Sequence, residues 1–242
     1  MTARRILLAG LFGTITAPAL AQSDDVSLMP EGSSEVRVGA LLVNGPRAAG
    51  SKERSTVLLP QFGAEWSNGV FLDGLMLGKQ MSTSPQVKYG PLLALNLVTR
   101  PGDGGRTLRP VFGAFLRYRP WRELALQAHV LGAASHSGNG VLLNLSANSQ
   151  ADLAPHQWLA FGLGLDLADS AYMQSDFGTA RYQPTGGVRD LFAEASWEWQ
   201  LTPKLKMVAS AHASRLQGDA AASPFTRQRT GLVNALAFSY SY

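Results

Sequence analysis

The sequence predicts an all-β chain closed into an antiparallel up-and-down transmembrane β-barrel. Three observations carry that prediction: segments about ten to fourteen residues long with a period of two, turn residues between them, and aromatic side chains near the segment ends. Globular strands usually run about five or six residues, whereas a tilted strand that crosses a bilayer needs about nine to eleven. No apolar run after the N-terminus approaches the roughly 18 residues of a transmembrane helix. The mean hydropathy is near zero, as expected where polar and apolar residues alternate instead of segregating.

The chain opens MTARRILLAGLFGTITAPALAQ, with Arg4 and Arg5 ahead of an apolar stretch from Ile6 and a small-residue site at Ala19-Leu20-Ala21. This layout predicts a secretory signal peptide over residues 1–21, cleaved on export. Without Arg4 and Arg5 the formal net charge of +4 falls to +2. An exported, mildly basic chain with no basic run is not a nucleic-acid binder. Cysteine is absent, which excludes a disulfide framework and a lipid anchor through cysteine. Residues 22–34, QSDDVSLMPEGSS, read as a flexible leader, and the barrel is expected over residues 35–242.

Along the barrel region the alternation recurs. VKYGPLLALNL sets Val87, Tyr89, Leu93, Leu95 and Leu97 against Lys88 and Asn96, and ELALQAHVLGA sets Leu124, Leu126 and Val130 against Gln127 and His129. HQWLAFGLGLDL places Leu159, Phe161, Leu163, Leu165 and Leu167 on one face and Gly162, Gly164 and Asp166 on the other. In GVRDLFAEASWEWQL the tryptophans Trp197 and Trp199 share a face with Leu191, while Asp190, Glu194 and Glu198 share the opposite one. The last segment, LVNALAFSYSY, puts Leu236, Phe238, Tyr240 and Tyr242 toward lipid as a barrel-closing strand. Trp121, Trp197, Trp199, Tyr240 and Tyr242 are expected to form an interfacial girdle.

With the chain end in the periplasm, residues 201–203, 119–122 and 151–155 become short periplasmic turns, and 99–107, 168–186 and 217–228 become longer outer loops. About eleven strands are convincing by pattern; bacterial single-chain barrels have even numbers, so about twelve are expected, with ten the alternative and the missing strand placed before residue 86.

Three motifs follow in order. Ala168 and Asp169 lead into AYMQSDFG, which carries Tyr172, Met173, Phe177 and Gly178; Tyr182 precedes Gly186, Gly187 and Asp190; and RLQGDAAASPF carries Leu216, Gly218, Asp219, Ala220, Ser223 and Pro224. In this order and spacing they resemble the signature segments of the MipA/OmpV family of outer-membrane proteins, also called the MltA-interacting protein family. Asp176 stands where the family usually has an aromatic, Thr179 where an aliphatic is common, and Ala222 where an acid often precedes Ser-Pro. The resemblance implies an outer-membrane barrel in a Gram-negative cell envelope. It also implies a scaffold between a murein-degrading lytic transglycosylase and a penicillin-binding protein that builds peptidoglycan. The aromatic C-terminus resembles the signal read by the outer-membrane assembly machinery.

Side-chain chemistry gives no enzyme. Glu198 and Lys206 flank the turn at 201–203 on one face and are expected to pair in the lumen, the ordinary filling of a barrel with a polar interior. His129 and His212 face the same interior without metal-ligand spacing. Ser135-His136-Ser137 lacks the context of a nucleophile and its base, because sequence neighbours on a strand point to opposite faces. No cofactor or metal is expected. Arg100, Arg106, Arg109, Arg215 and Arg227 are placed to meet lipopolysaccharide phosphates, with Arg215 on the lipid-facing parity at the outer end of its strand. Two further function classes remain beside the scaffold: a narrow pore for small solutes, and adhesion through the outer loops.

Overall fold

The computed structural model of the chain describes residues 32–99, 106–133 and 140–242. Among these, twelve antiparallel strands close into a single barrel in which each strand pairs with its sequence neighbours and the last pairs with the first. The strands are β1 (Ser34–Pro46), β2 (Arg54–Trp66), β3 (Val70–Asp73), β4 (Met76–Lys79), β5 (Val87–Thr99), β6 (Arg106–Trp121), β7 (Leu124–Ala133) and β8 (Val141–Ala154). β9 (Gln157–Ala168) is followed by helix α1 (Ser170–Phe177), then β10 (Gly187–Gln200), β11 (Leu205–Leu216), helix α2 (Gly218–Ala222) and β12 (Thr230–Ser241). No helix among the described residues is long and apolar enough to cross a membrane.

Period-two patterning explains which way each strand faces. On β9 and β10, Phe161, Leu163 and Leu191 are exposed on the outer wall, while Asp166, Asp190, Phe192, Ser196 and Glu198 are buried on the inner one. A soluble protein would bury the leucines; here the most exposed include Leu58 at 68% and Leu163 at 67%, the inverted arrangement that lipid rewards. β12 ends as expected: Leu42 of β1 lies opposite Leu236, Ala40 opposite Phe238 and Val38 opposite Tyr240, which closes the sheet and leaves no free edge at the chain end.

Aromatic residues collect at the end of the barrel bearing the shortest turns. Trp197 and Trp199 stack with centroids 5.7 Å apart, Tyr240 and Tyr242 meet edge to face at 5.0 Å, and Trp121 is exposed beside the β6–β7 turn. The Lys204 ammonium sits 5.8 Å from the Tyr240 ring centre. These contacts build a belt at the turn end of the barrel.

Several boundaries differ from expectation. Residues 151–154 continue β8, and the turn is made by Pro155 and His156, whose φ is +65°. Arg119 to Trp121 likewise remain in β6, with a register shift between Tyr118 and Trp121. The strand missing before residue 86 belongs to the hairpin β3–β4, whose strands of four residues each are too short to show alternation. The stretches 168–186 and 217–228 are not plain loops, since they contain α1 and α2. The signal peptide, the leader up to residue 31, Arg100 and Ser135-His136-Ser137 lie outside the described residues, as do the side chains of Arg106 and Arg109.

Candidate functional site

The longest connections sit at the opposite end from the aromatic belt, and there the three motifs converge. Asp169 caps α1 by accepting a hydrogen bond from the Tyr172 backbone N–H at 2.7 Å, the ordinary way to satisfy a first-turn donor. Gly140 makes room for that helix: a Cβ there would lie 2.2 Å from the Tyr172 nitrogen. Met173 and Phe177 point down from α1 into a buried apolar cluster with Leu142, Ala168, Leu216 and Ala220. The Ser223 hydroxyl donates to the Phe177 carbonyl at 2.7 Å and so ends α1 and α2 on a shared contact. Asp219 accepts from the Thr185 amide at 2.7 Å and from its hydroxyl at 2.8 Å, while the Tyr182 hydroxyl donates to the Asp219 carbonyl. Those Thr185 bonds, the backbone one foremost, hold the Asp219 carboxyl below its ordinary range.

Beneath this lid lies a buried ionic cluster. The Asp166 carboxylate is fully buried and pairs with Arg189, which donates from Nε to Asp190 at 2.6 Å and from Nη1 to the Tyr172 hydroxyl oxygen at 3.0 Å. Asn144 donates to the other Asp166 oxygen at 2.6 Å. The Arg189 guanidinium also lies 5.8 Å from the Tyr172 ring centre, a cation–π distance. Burial pushes the Tyr172 phenol well above its usual range, with the Asp176 charge acting in the same direction. The phenol therefore stays neutral and serves as an acceptor for Arg189.

Strand parity places Arg189 on the lipid face with Leu191. A register shift between Val188 and Asp190 instead turns it inward, so that Arg189 and Asp190 are consecutive and both buried. Such a bulge re-aims a side chain at a strand end. Asp190 was expected as a motif residue. Arg189, Asp166 and Asn144 were not expected at the site, and the sequence signal for them is only the alternation of polar residues on β8 and β9.

Ala168, Asp169, Tyr172, Met173, Phe177, Asp190, Leu216, Asp219, Ala220 and Ser223 meet in or around the lid. Gly178 ends α1, with its N–H donating to the Gln174 carbonyl. Gly186 lies against the α1 entry, where a Cβ would sit 3.1 Å from the Ala168 oxygen. Gly187 starts β10, Gly218 has a φ of +44°, and Pro224 is exposed beside Ser223. All of these positions build the lid.

Along the lumen, Lys206 pairs with Glu198 at 3.4 Å, both largely buried, and Arg37 pairs with Glu65 at 3.0 Å. Phe71 and Phe115 meet edge to face at 5.8 Å. These groups fill the turn end of the lumen. His212 stacks on Phe192 at 5.1 Å and faces Glu194. Among the described residues no group of His, Asp and Glu side chains could hold a metal ion. On the outer wall Arg215 is exposed as its parity requires. It borders a groove of about 620 Å³ at the loop rim with Lys52, Arg54, Leu191, Gln228 and Leu232, and no carboxylate lines that groove.

The family model described as MltA-interacting protein MipA matches residues 38–242. This chain belongs to the MipA family. No curated protein matches it. Among solved structures, the NanC porin aligns with a TM-score of 0.54 at 10% identity, over 83% of this chain and 98% of the porin. The COG4313 outer membrane channel from Pseudomonas putida F1 gives a TM-score of 0.47 at 14% identity, over 88% and 97% of the two chains. Identities this low speak to the fold alone. Family and barrel architecture together support an outer-membrane location for this MipA-family chain.

Proposed function

We propose that this MipA-family chain is a non-enzymatic outer-membrane scaffold for enzymes of murein synthesis and turnover, with its chain end and short turns in the periplasm and its helical lid outside. Family membership over nearly the whole barrel carries the reading, because the family description names an interaction with MltA. The lumen supports it. Ion pairs and packed phenylalanines fill the turn end, an arrangement better suited to a rigid platform than to free passage of solutes. A penicillin-binding protein is the second expected client.

A standard interface takes about 800 Å² from each partner, more than one short turn offers. The docking face therefore combines several turns with the aromatic belt, and the leader adds area by ordering on the partner. Cross-linking from a photoreactive residue at Thr202 in intact cells tests this: capture of a lytic transglycosylase or a penicillin-binding protein is expected. Capture of assembly factors alone, with both murein enzymes present, would refute it. At the opposite rim, Arg215, Lys52 and Arg54 border a groove without carboxylates above the apolar wall, which favours contact with the phosphates of lipopolysaccharide.

A further inference from the structure

The barrel wall is not equally tall all round. β3 and β4 have four residues each, whereas their neighbours β2 and β5 have thirteen. β3 pairs only with Gly63 to Glu65 of β2, and β4 only with Leu92 to Ala94 of β5. At a rise of about 3.3 Å per residue and a tilt of about 40°, four residues climb roughly 10 Å and thirteen roughly 33 Å. Above the hairpin the wall therefore lacks two strands, over roughly 20 Å along β2 from Gln61 to Arg54 and about 10 Å along β5 from Asn96 to Thr99. No ladder joins β2 to β5 among the described residues.

Hydrogen-bond parity shows which backbone groups line this slot. The Phe62 carbonyl accepts from the Gly74 N–H at 2.8 Å, so even-numbered residues of β2 turn their backbone groups toward the hairpin side. Continuing upward, these are Pro60, Leu58 and Thr56. Pro60 has no N–H to leave open, the usual device at a strand edge. On β5 the Leu95 N–H donates to the Leu75 carbonyl at 3.1 Å, and the next residues of that parity are Leu97 and Thr99. Unpaired backbone groups facing hydrocarbon cost several kcal/mol each, and at membrane depth such backbone is tolerated where it lines a cavity. The slot is thus a mouth of the lumen rather than a seam closed by lipid.

The lumen wall at this mouth is apolar. Val57 and Leu59 of β2 and Leu41 and Val43 of β1 face inward there, with Leu92 of β5 buried at its foot. Across the lumen stand Asp166, Arg189, Asp190 and Glu194. At the two ends of the Val57–Leu59 stretch, the buried Ser55 hydroxyl and the Gln61 side-chain oxygen have no hydrogen-bond partner. A cavity of about 60 Å³ reaches inward from Leu41, Gln61 and Phe62 to Val208 and Ala237, with the charged side chains of Arg37, Asp73 and Lys206 also in its lining, toward the turn end. An apolar wall bracketed by unused polar atoms and open sideways to lipid matches a hydrocarbon tail with a polar head. We propose that the slot between β2 and β5 is a lateral port through which the hydrocarbon tail of an amphiphile enters the lumen from the membrane.

The chain has no cysteine, so single labels are clean. In vesicles of tail-brominated phosphatidylcholine, a bimane label on Leu59→Cys should be quenched nearly as strongly as one on lipid-facing Leu163→Cys. A label on Ser146→Cys, which faces the lumen from β8 between the unbroken ladders to β7 and β9 and lies outside that cavity, should be quenched far less. Quenching at Leu59→Cys no stronger than at Ser146→Cys overturns the port. So does quenching that vanishes as protein density rises while dimers cross-link, which would give the slot to a second copy. Heat-modifiable gel mobility verifies folding of each variant, and Val57→Cys is the replacement site should Leu59→Cys not assemble.

Discussion

Replacing Arg189 with methionine is the most searching perturbation of the site. The substitution keeps an unbranched side chain of similar reach and removes a cation that serves Asp166, Asp190 and Tyr172 at once. It strands Asp166, at 0% exposure, and Asp190, at 4%, without a counter-ion. Removing one member of a buried pair costs about 3–5 kcal/mol, most of it for the charge left behind. With about 1.4 kcal/mol for each factor of ten, the unfolding equilibrium should shift by roughly a thousandfold.

Urea unfolding of the protein in lipid vesicles, followed by the fluorescence of its five tryptophans, measures the loss. The triple variant R189M/D166N/D190N separates the charge argument from simple loss of packing, because it removes the stranded carboxylates along with the cation. It should recover more than half of the deficit. Trypsin adds a local reading: the exposed Arg181 lies in the lid, and cleavage after it should accelerate in R189M and slow again in the triple variant. A cost below about 1 kcal/mol, the level of an exposed pair, would refute the assignment of Arg189 as the organising charge. A triple variant no better than the single one would do the same.

Further expectations concern the lid, the wall and the rim. Phe177→Ala should remove about 3–5 kcal/mol of lid packing and appear as faster hydrogen exchange in α1, with the rest of the barrel protected as before. Because Asp219 has a lowered folded pKa, its clasp on Thr185 contributes fully at neutral pH and is lost as pH falls below the ordinary carboxylate value of 3.8. Protection of the Thr185 amide, taken relative to its intrinsic exchange rate at each pH, should fall over that interval, and in Asp219→Asn that protection should no longer change with pH there. Gly164→Ala would put a Cβ 2.3 Å from the Phe192 ring and 2.5 Å from the Leu145 carbonyl, so the yield of heat-modifiable folded barrel should drop. Gly132→Ala, whose nearest neighbour would lie at 3.9 Å, should assemble normally. Combined Arg54→Ala and Arg215→Ala should reduce co-purifying lipopolysaccharide; unchanged retention counts against the rim groove.

What could be seen in the chain was whatever repeats along a strand. The lipid face of β12, the inward pairing of Glu198 with Lys206 and the girdle tryptophans follow from parity, since a period of two leaves each residue only two directions. Parity fails where the ladder is interrupted. Arg189 reads as a lipid-facing cation until the bulge beside Asp190 turns it inward, and nothing in Gly187-Val188-Arg189-Asp190 announces that bulge. The β3–β4 hairpin escaped because four residues hold barely one alternation. For α1 a signal did exist: Asp169 is a good N-cap, and Tyr172, Met173 and Phe177 keep helical spacing. Counting the topology back from the chain end makes 168–186 an outer loop, whereas the buried Met173 and Phe177 need a helix to reach the same side.

The lid also bears on where a partner can be recognised. Asp169, Asp219 and Ser223 spend their side-chain oxygens on backbone groups of the lid itself, and Met173, Phe177 and Ala220 are buried. Asp169 stays exposed and Asp219 half-buried, but their hydrogen bonds serve the lid first. In this chain the motif residues therefore shut the loop end of the barrel, and the lid displays Arg181, Pro224 and Phe225 on its surface. The same division holds at the other end. Glu198, Lys206, Arg37 and Glu65 stiffen the lumen from within, while Trp121, Trp199, Tyr240 and Tyr242 stand exposed around it. Changing an outward aromatic of the belt should thus weaken partner capture or membrane seating at little cost to the fold, whereas changing an inward motif residue should first be felt as lost stability.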